Sequence, residues 1–207
     1  MVFKEERLAG RLGALPPGHR TAFAASCCER LLPNYAAFSL AEGWGRPETL
    51  RGALDEVWSI LGGRPAREEA IRSLVERCVE VAPDTEDFQS LFVSAAGDAA
   101  AAVAYTLESC LDGDAGKAAM VGRLSIETLY QYLMRVNDPL TGVHAVDTDF
   151  EGQMLKAPLM LAELDKQDHD LRLLQTHDTL TPALLKELRD SSMSAGIRPF
   201  ERGLVKP

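Results

Sequence analysis

The sequence contains no cluster of lysine and arginine that could neutralise a phosphate backbone, and this absence removes nucleic acid from the expected partners. Residues 1 to 82 hold 11 acidic and 11 basic side chains and residues 83 to 207 hold 20 and 11, so the whole net charge of −9 lies in the later part. Cysteine is scarce as well. Cys27, Cys28, Cys78 and Cys110 form no C-x-x-C pair and show none of the spacings that place four ligands around zinc. They read as reduced, mostly buried small hydrophobes in a reducing compartment. Met1 to Gly10 carries Lys4, Glu5, Glu6 and Arg7 ahead of any apolar stretch, so no secretory leader can be drawn there and the expected location is cytoplasmic. Long hydrophobic runs are missing too: Leu91 to Leu107 is broken by Asp98 and rich in alanine, which suits a core helix better than a membrane span.

Catalytic signatures are equally absent. There is no G-x-G-x-x-G after a strand, no G-x-x-x-x-G-K-[ST] and no G-x-S-x-G. None of His19, His144, His169 and His177 has a glutamate three residues before it, and H-E-x-x-H does not occur. The ligand spacings of di-iron bundles and zinc proteases are therefore missing. The expectation is a protein without a cofactor and without an evident enzymatic activity.

Helical periodicity is what the sequence does contain. Leu50, Ala53, Leu54, Val57, Trp58 and Leu61 mark one face of a helix, and Ile71, Leu74, Val75, Cys78, Val79 and Ala82 repeat the pattern. Pro47 and Pro65 suit first turns, and Gly62 with Gly63 suits a helix end. Phe3 to Leu15 and Arg20 to Leu32 read as helices separated by Pro16, Pro17 and Gly18, with Pro33 ending the second. In that second helix only one of Cys27 and Cys28 is expected to share the buried face of Phe23. Ala95 to Leu111 is small on every side and Met120 to Val136 is apolar nearly all round; both belong inside a bundle, the alanine-rich one at its centre. Asp149 to Gln175 comes next, with a kink or restart at Pro158, and Thr181 with Pro182 opens a last helix. No segment alternates apolar and polar residues as a half-buried strand would. The predicted fold is all-α: a single-domain bundle of about seven to nine helices over residues 1–207, with a tail at 197–207 that docks through Phe200 or frays.

Several polar residues stand out on this scaffold. Asp147, Asp149, Glu151 and Gly152 resemble the opening of a calcium loop, but the twelfth position is Pro158, which offers no side-chain oxygen. Caps at a helix start are the plainer reading, and a weak divalent site the sharper one. Asp165, His169 and Arg172 fall on a polar, solvated helix face. Asp168 projects between Ala157, Leu161, Leu164 and Leu171, on the side expected to face the core, where a carboxylate needs partners or a raised pKa. Asp98 either lines the same interior or caps the alanine-rich helix. Tyr35, Phe38 and Trp44, around the Pro33 break, form a candidate apolar contact patch, unless they pack onto the core.

The segment FAASCCERLLPNYAAFSLAEGWGRPETLRGALDEVWSIL, Phe23 to Leu61, resembles the signature region of the YjaG family of uncharacterised bacterial proteins. It carries a C-x-R-x-x-P-N-Y-x-x-F stretch, an aromatic-glycine turn and an amphipathic helix bearing a tryptophan. Asp87-Phe88, the alanine-rich helix with Asp98, and the helix from Ser125 to Leu133 are similar to the later elements of that family, in the same order. The likeness extends to about Arg189 and is weaker from Asn137 to Pro158. It implies an α-helical fold and no established activity or catalytic residues. Function is thus read as self-association or binding of another protein, with an inter-helical ligand or active site using Asp168 and Asp98, or a divalent-metal site at Asp147 to Glu151, as alternatives.

Overall fold

The computed structural model describes residues 5–90, 92–136 and 154–195. Among them are eight helices and no strand: α1 (Glu5–Gly13), α2 (Pro17–Glu42), α3 (Pro47–Leu61), α4 (Glu68–Glu80), α5 (Val93–Asp112), α6 (Ala115–Val136), α7 (Pro158–Gln175) and α8 (Pro182–Ser194). One connected cluster of buried apolar side chains draws on all eight. The tail at 197–207 and the region of Asp147, Asp149 and Glu151 lie outside the described residues.

Local sequence explains most boundaries. Pro47, Pro158 and Pro182 each open a helix at its first position, where a missing N–H costs nothing. The Thr181 hydroxyl accepts the Leu184 N–H at 3.2 Å and caps α8. Between α5 and α6 the chain turns at Gly113, whose φ of 61° and close approach to Pro17 leave no room for a side chain: a Cβ there would meet the Pro17 Cβ at 2.4 Å. Pro65 precedes α4 by several residues instead of entering its first turn, because the helix begins only at Glu68.

The largest departure from the expected pattern is α2. Pro33 does not end it; the helix runs on to Glu42. A proline N carries no hydrogen, so the Glu29 carbonyl loses its helical partner. Burial of Tyr35, Ala37 and Phe38 beyond the proline offsets that loss. The Tyr35 hydroxyl also donates to the Val81 carbonyl at 2.6 Å and accepts the Arg46 N–H at 3.3 Å. Because α2 is enclosed by α3, α5, α6, α7 and α8, it has no solvent stripe over Thr21 to Leu31, and both Cys27 and Cys28 are fully buried. The alanine-rich α5 is central as well, meeting α2, α3, α4 and α6, and α2 is the more enclosed of the two.

Candidate functional site

Adjacent residues of α2, Glu29 and Arg30, anchor two charged clusters inside the bundle. The fully buried Arg30 guanidinium donates to both Glu163 carboxylate oxygens of α7, at 2.7 and 2.8 Å, a bidentate fork. It also reaches Asp170 at 3.3 Å, the Ser26 carbonyl at 3.0 Å and the Ser192 hydroxyl of α8 at 3.3 Å. Lys166 pairs with Asp170, and Gln167 donates to Glu163 at 2.8 Å and to the Gly122 carbonyl at 3.0 Å. Two cations and two anions therefore balance. Burial opposes the guanidinium's charge, yet Glu163 and its neighbours hold it more firmly protonated than an ordinary arginine. Glu29, also buried, accepts from Arg51 of α3 at 2.6 and 2.9 Å and from the Trp58 indole at 2.8 Å, and forms an ion pair with Arg189 of α8 at 3.1 Å. Arg189 in turn pairs with Asp55 and lies over the Trp58 ring.

These clusters correct the reading of α7. Its inward face carries Met160, Glu163, Gln167, Asp170, Leu171 and Leu174, while Leu161 is exposed. Asp168, expected to face the core, is instead half-exposed and pairs with Arg11 of α1 at 2.8 Å and with Arg172 one turn along. Asp165 and His169 lie on the solvated face, as their spacing suggests.

Asp98 is not a cap. Helix α5 begins at Val93, with Phe92 ahead of it, and Asp98 sits in its second turn, accepting the Thr128 hydroxyl of α6 at 2.8 Å. It shares no partner with Asp168, so the structure does not bring the two acids into one site. Burial pushes the Asp98 carboxyl up to about 6 against the lowering pull of the Thr128 hydrogen bond. A carboxyl whose folded pKa lies above its ordinary value of 3.8 adds stability below pH 3.8, and that stability drains away as pH rises through about 6. Asp98→Asn is therefore expected to stabilise the protein by about 2 kcal/mol at pH 8 and by almost nothing at pH 4. Thermal unfolding across that range checks this, and an equal effect at both ends contradicts it.

Tyr35 and Phe38 are completely buried, so of the proposed contact patch only Trp44, 37% exposed, offers surface. The three join Phe88 in an aromatic cluster with Phe38 at its centre. Burial also pushes the thiols of Cys27, Cys78 and Cys110 up to about 12, and that of Cys28 higher still, which keeps all four protonated. His19 is buried with its Nε2 at 2.8 Å from the His177 carbonyl, a structural contact. Asn34 is buried, and its Nδ2 has no hydrogen-bond partner. Among the described residues no group of three His, Cys, Asp or Glu side chains is placed to hold a metal, and no helix is long and apolar enough to cross a membrane.

What sequence reasoning missed lies on the surface. Helices α3 and α4 both pack on α5 and diverge from each other, leaving between them a groove of about 430 Å³. It is lined by the buried Ala53 and Ile71, the half-buried Leu74 and the exposed Gly52. Glu48 and Glu56 stand on the α3 wall, with Arg67 at the entry to α4 and Arg77 on the α4 wall. Only Gly52, an exposed glycine beside the apolar stripe of α3, could have signalled it.

The bundle has close relatives in architecture and sequence. It matches the crystal structure of a DUF416 family protein from Shewanella baltica OS155 with a TM-score of 0.81 at 26% identity, covering 92% of this chain and 95% of that one. The uncharacterized protein YjaG of Escherichia coli strain K12 is 29% identical over 187 residues, 90% of this chain and 91% of its own. YjaG of Salmonella typhimurium shows the same identity and coverage. An uncharacterized protein of Haemophilus influenzae is 28% identical over 58% of this chain and 61% of its own. The relatives carry no assigned activity. Residues 7–198 match the family model described as "Protein of unknown function (DUF416)", and the chain belongs to that family.

Proposed function

We propose that the protein acts by association, the α3–α4 face of one copy pairing with the same face of a second. Gly52 carries this reading. It sits in the middle of α3, exposed, and a Cβ added to it would meet nothing within 4 Å. Glycine in a helix interior costs roughly 1 kcal/mol relative to alanine, so the isolated chain gains nothing from it. A glycine at a groove wall does let another backbone approach closely. Gly10 and Gly97 have similar open space but line neither this groove nor the one beyond α4. Charge favours a second copy as the occupant. Glu48, and Glu56 in its ion pair with Arg64, stand on one side of the groove and Arg67 and Arg77 on the other, so a two-fold axis running along the groove sets the acidic wall of each copy, led by Glu48, against the basic wall of its mate. Four free cysteines, none of them in a disulfide, suit a reducing compartment such as the cytoplasm.

Sedimentation velocity over a wide concentration range tests the proposal together with Gly52→Lys, which fills the groove while improving helix propensity. The wild type is expected to dimerise through an interface of at least roughly 1,000 Å². The variant is expected to fold as well or better, by up to about 1 kcal/mol, and to dimerise at least about tenfold more weakly. A wild type that stays monomeric at every concentration, or a variant that associates unchanged, removes the reading.

A further inference from the structure

We infer that α4 is a hinged cover that lifts from the bundle as a unit while the remaining helices stay folded, and that this motion regulates the α3–α4 face. The regulatory consequence rests on the association proposed above; the motion itself rests on how α4 is attached.

Of its thirteen residues only Ile71 and Cys78 are buried, with Leu74 and Val75 packed partway against the core. Among the described residues no α4 side chain forms a hydrogen bond or ion pair to another helix; Arg72 and Glu68 pair within α4 itself. The other peripheral helices are fastened differently. α7 is tied to α2 through Arg30 with Glu163, and α8 to α2 and α3 through Arg189 with Glu29 and Asp55. Open space flanks α4 on both sides, since a second groove of about 540 Å³ separates Val75 and Arg72 from Glu108, Leu111 and Lys117. The connections suit a hinge. Residues 62–70 are exposed throughout and include Gly63 at φ 107°, and residues 84–87 are exposed at the other end. Two polar ties lie beyond the ends of the helix, the exposed Arg64 to Glu56 of α3 before it and the Tyr35 hydroxyl to the carbonyl of the buried Val81 after it, and they mark the fixed ends about which the helix turns. α4 lies closely along α5, but through apolar packing alone, and a helix with so little buried side-chain surface and no side-chain polar bonds to its neighbours belongs to the low-stability end of local opening.

The chain carries its own reporters. Cys78 is buried on the inward face of α4, whereas Cys27 is buried on α2 beside Arg30. Native full-length protein at high dilution is treated with N-ethylmaleimide, and labelling at each cysteine is followed by peptide mass spectrometry. Cys78 is expected to react at least about tenfold faster than Cys27. Leu129→Ala, in the half of α6 remote from the α4 groove, weakens the whole fold. It is expected to speed Cys27 labelling at least about tenfold and to leave Cys78 within about twofold, since local opening does not depend on Leu129. Cys78 reacting no faster than Cys27, or accelerating with it in Leu129→Ala, means that α4 opens only when the whole protein unfolds and overturns the inference. Repeating the labelling on concentrated protein separates the two ideas. Association through this face slows Cys78 there, and an unchanged rate counts against the pairing while leaving the hinge intact.

Discussion

Arg30→Met is expected to remove about 3 to 5 kcal/mol of folding stability, a large share of what a domain of this size possesses. The methionine fills most of the space, so the loss is electrostatic. Glu163 is left buried with Gln167 as its remaining donor, and the cluster, neutral with Arg30 present, holds one uncompensated negative charge. Breaking a buried pair from one side costs more than the pair is worth, because the surviving charge keeps its desolvation penalty. Removing both members should therefore restore most of the loss: Arg30→Met with Glu163→Met leaves Lys166 paired with Asp170 and is expected to come within about 2 kcal/mol of the wild type. Urea unfolding followed by circular dichroism measures all three proteins. A single variant within 1 kcal/mol of the wild type, or a double variant weaker than the single, contradicts this account.

The same cluster explains where the sequence could and could not be read. Helices α3, α5, α6 and α8 are visible in it because their buried faces are built from leucine, valine, alanine and isoleucine, and hydropathy finds such faces directly. In α7 the inward positions include Glu163, Gln167 and Asp170. A reading that places polar residues outside rotates the helix and turns Asp168 inward. The partner that makes those acids acceptable in the core is Arg30, more than a hundred residues earlier in the chain, and no local pattern announces the pairing. For α2 the failure is of a different kind. A helix enclosed on nearly every side shows no stripe, and the penalty at Pro33 is outweighed by long-range contacts at Tyr35 and Phe38 that sequence spacing does not reveal. The groove between α3 and α4 arises from how two helices diverge across a third, so the sequence shows only one of its elements, the glycine at position 52.

The C-x-R-x-x-P-N-Y-x-x-F stretch acquires a physical meaning from these contacts. Cys28, Arg30, Asn34, Tyr35 and Phe38 are all buried in α2, where they supply an ion anchor, a hydroxyl tie to the end of α4 and the middle of an aromatic cluster. In this chain those residues build the centre of the bundle, while the proposed working surface lies on α3 and α4.

Phe38→Ala separates these two roles. The ring is fully buried, with centroids 5.1 Å from Phe88, 5.9 Å from Trp44 and 6.3 Å from Tyr35. Truncation removes the ring's burial and leaves a cavity among stiff neighbours, so the expected cost is about 3 to 5 kcal/mol. Trp44, more exposed and packed on one side, is expected to cost only about 1 to 2 kcal/mol when truncated. Loss of Phe38 should also admit water to Trp44 and shift its fluorescence to longer wavelength. A Trp58→Phe background keeps that signal free of the second tryptophan. Dimerisation of the folded fraction should stay as in the wild type, because none of the four aromatic side chains lines the groove that holds Gly52 and Leu74. A Phe38→Ala protein that keeps its stability and loses its partner would instead return the contact surface to the aromatic patch, and take it away from α3 and α4.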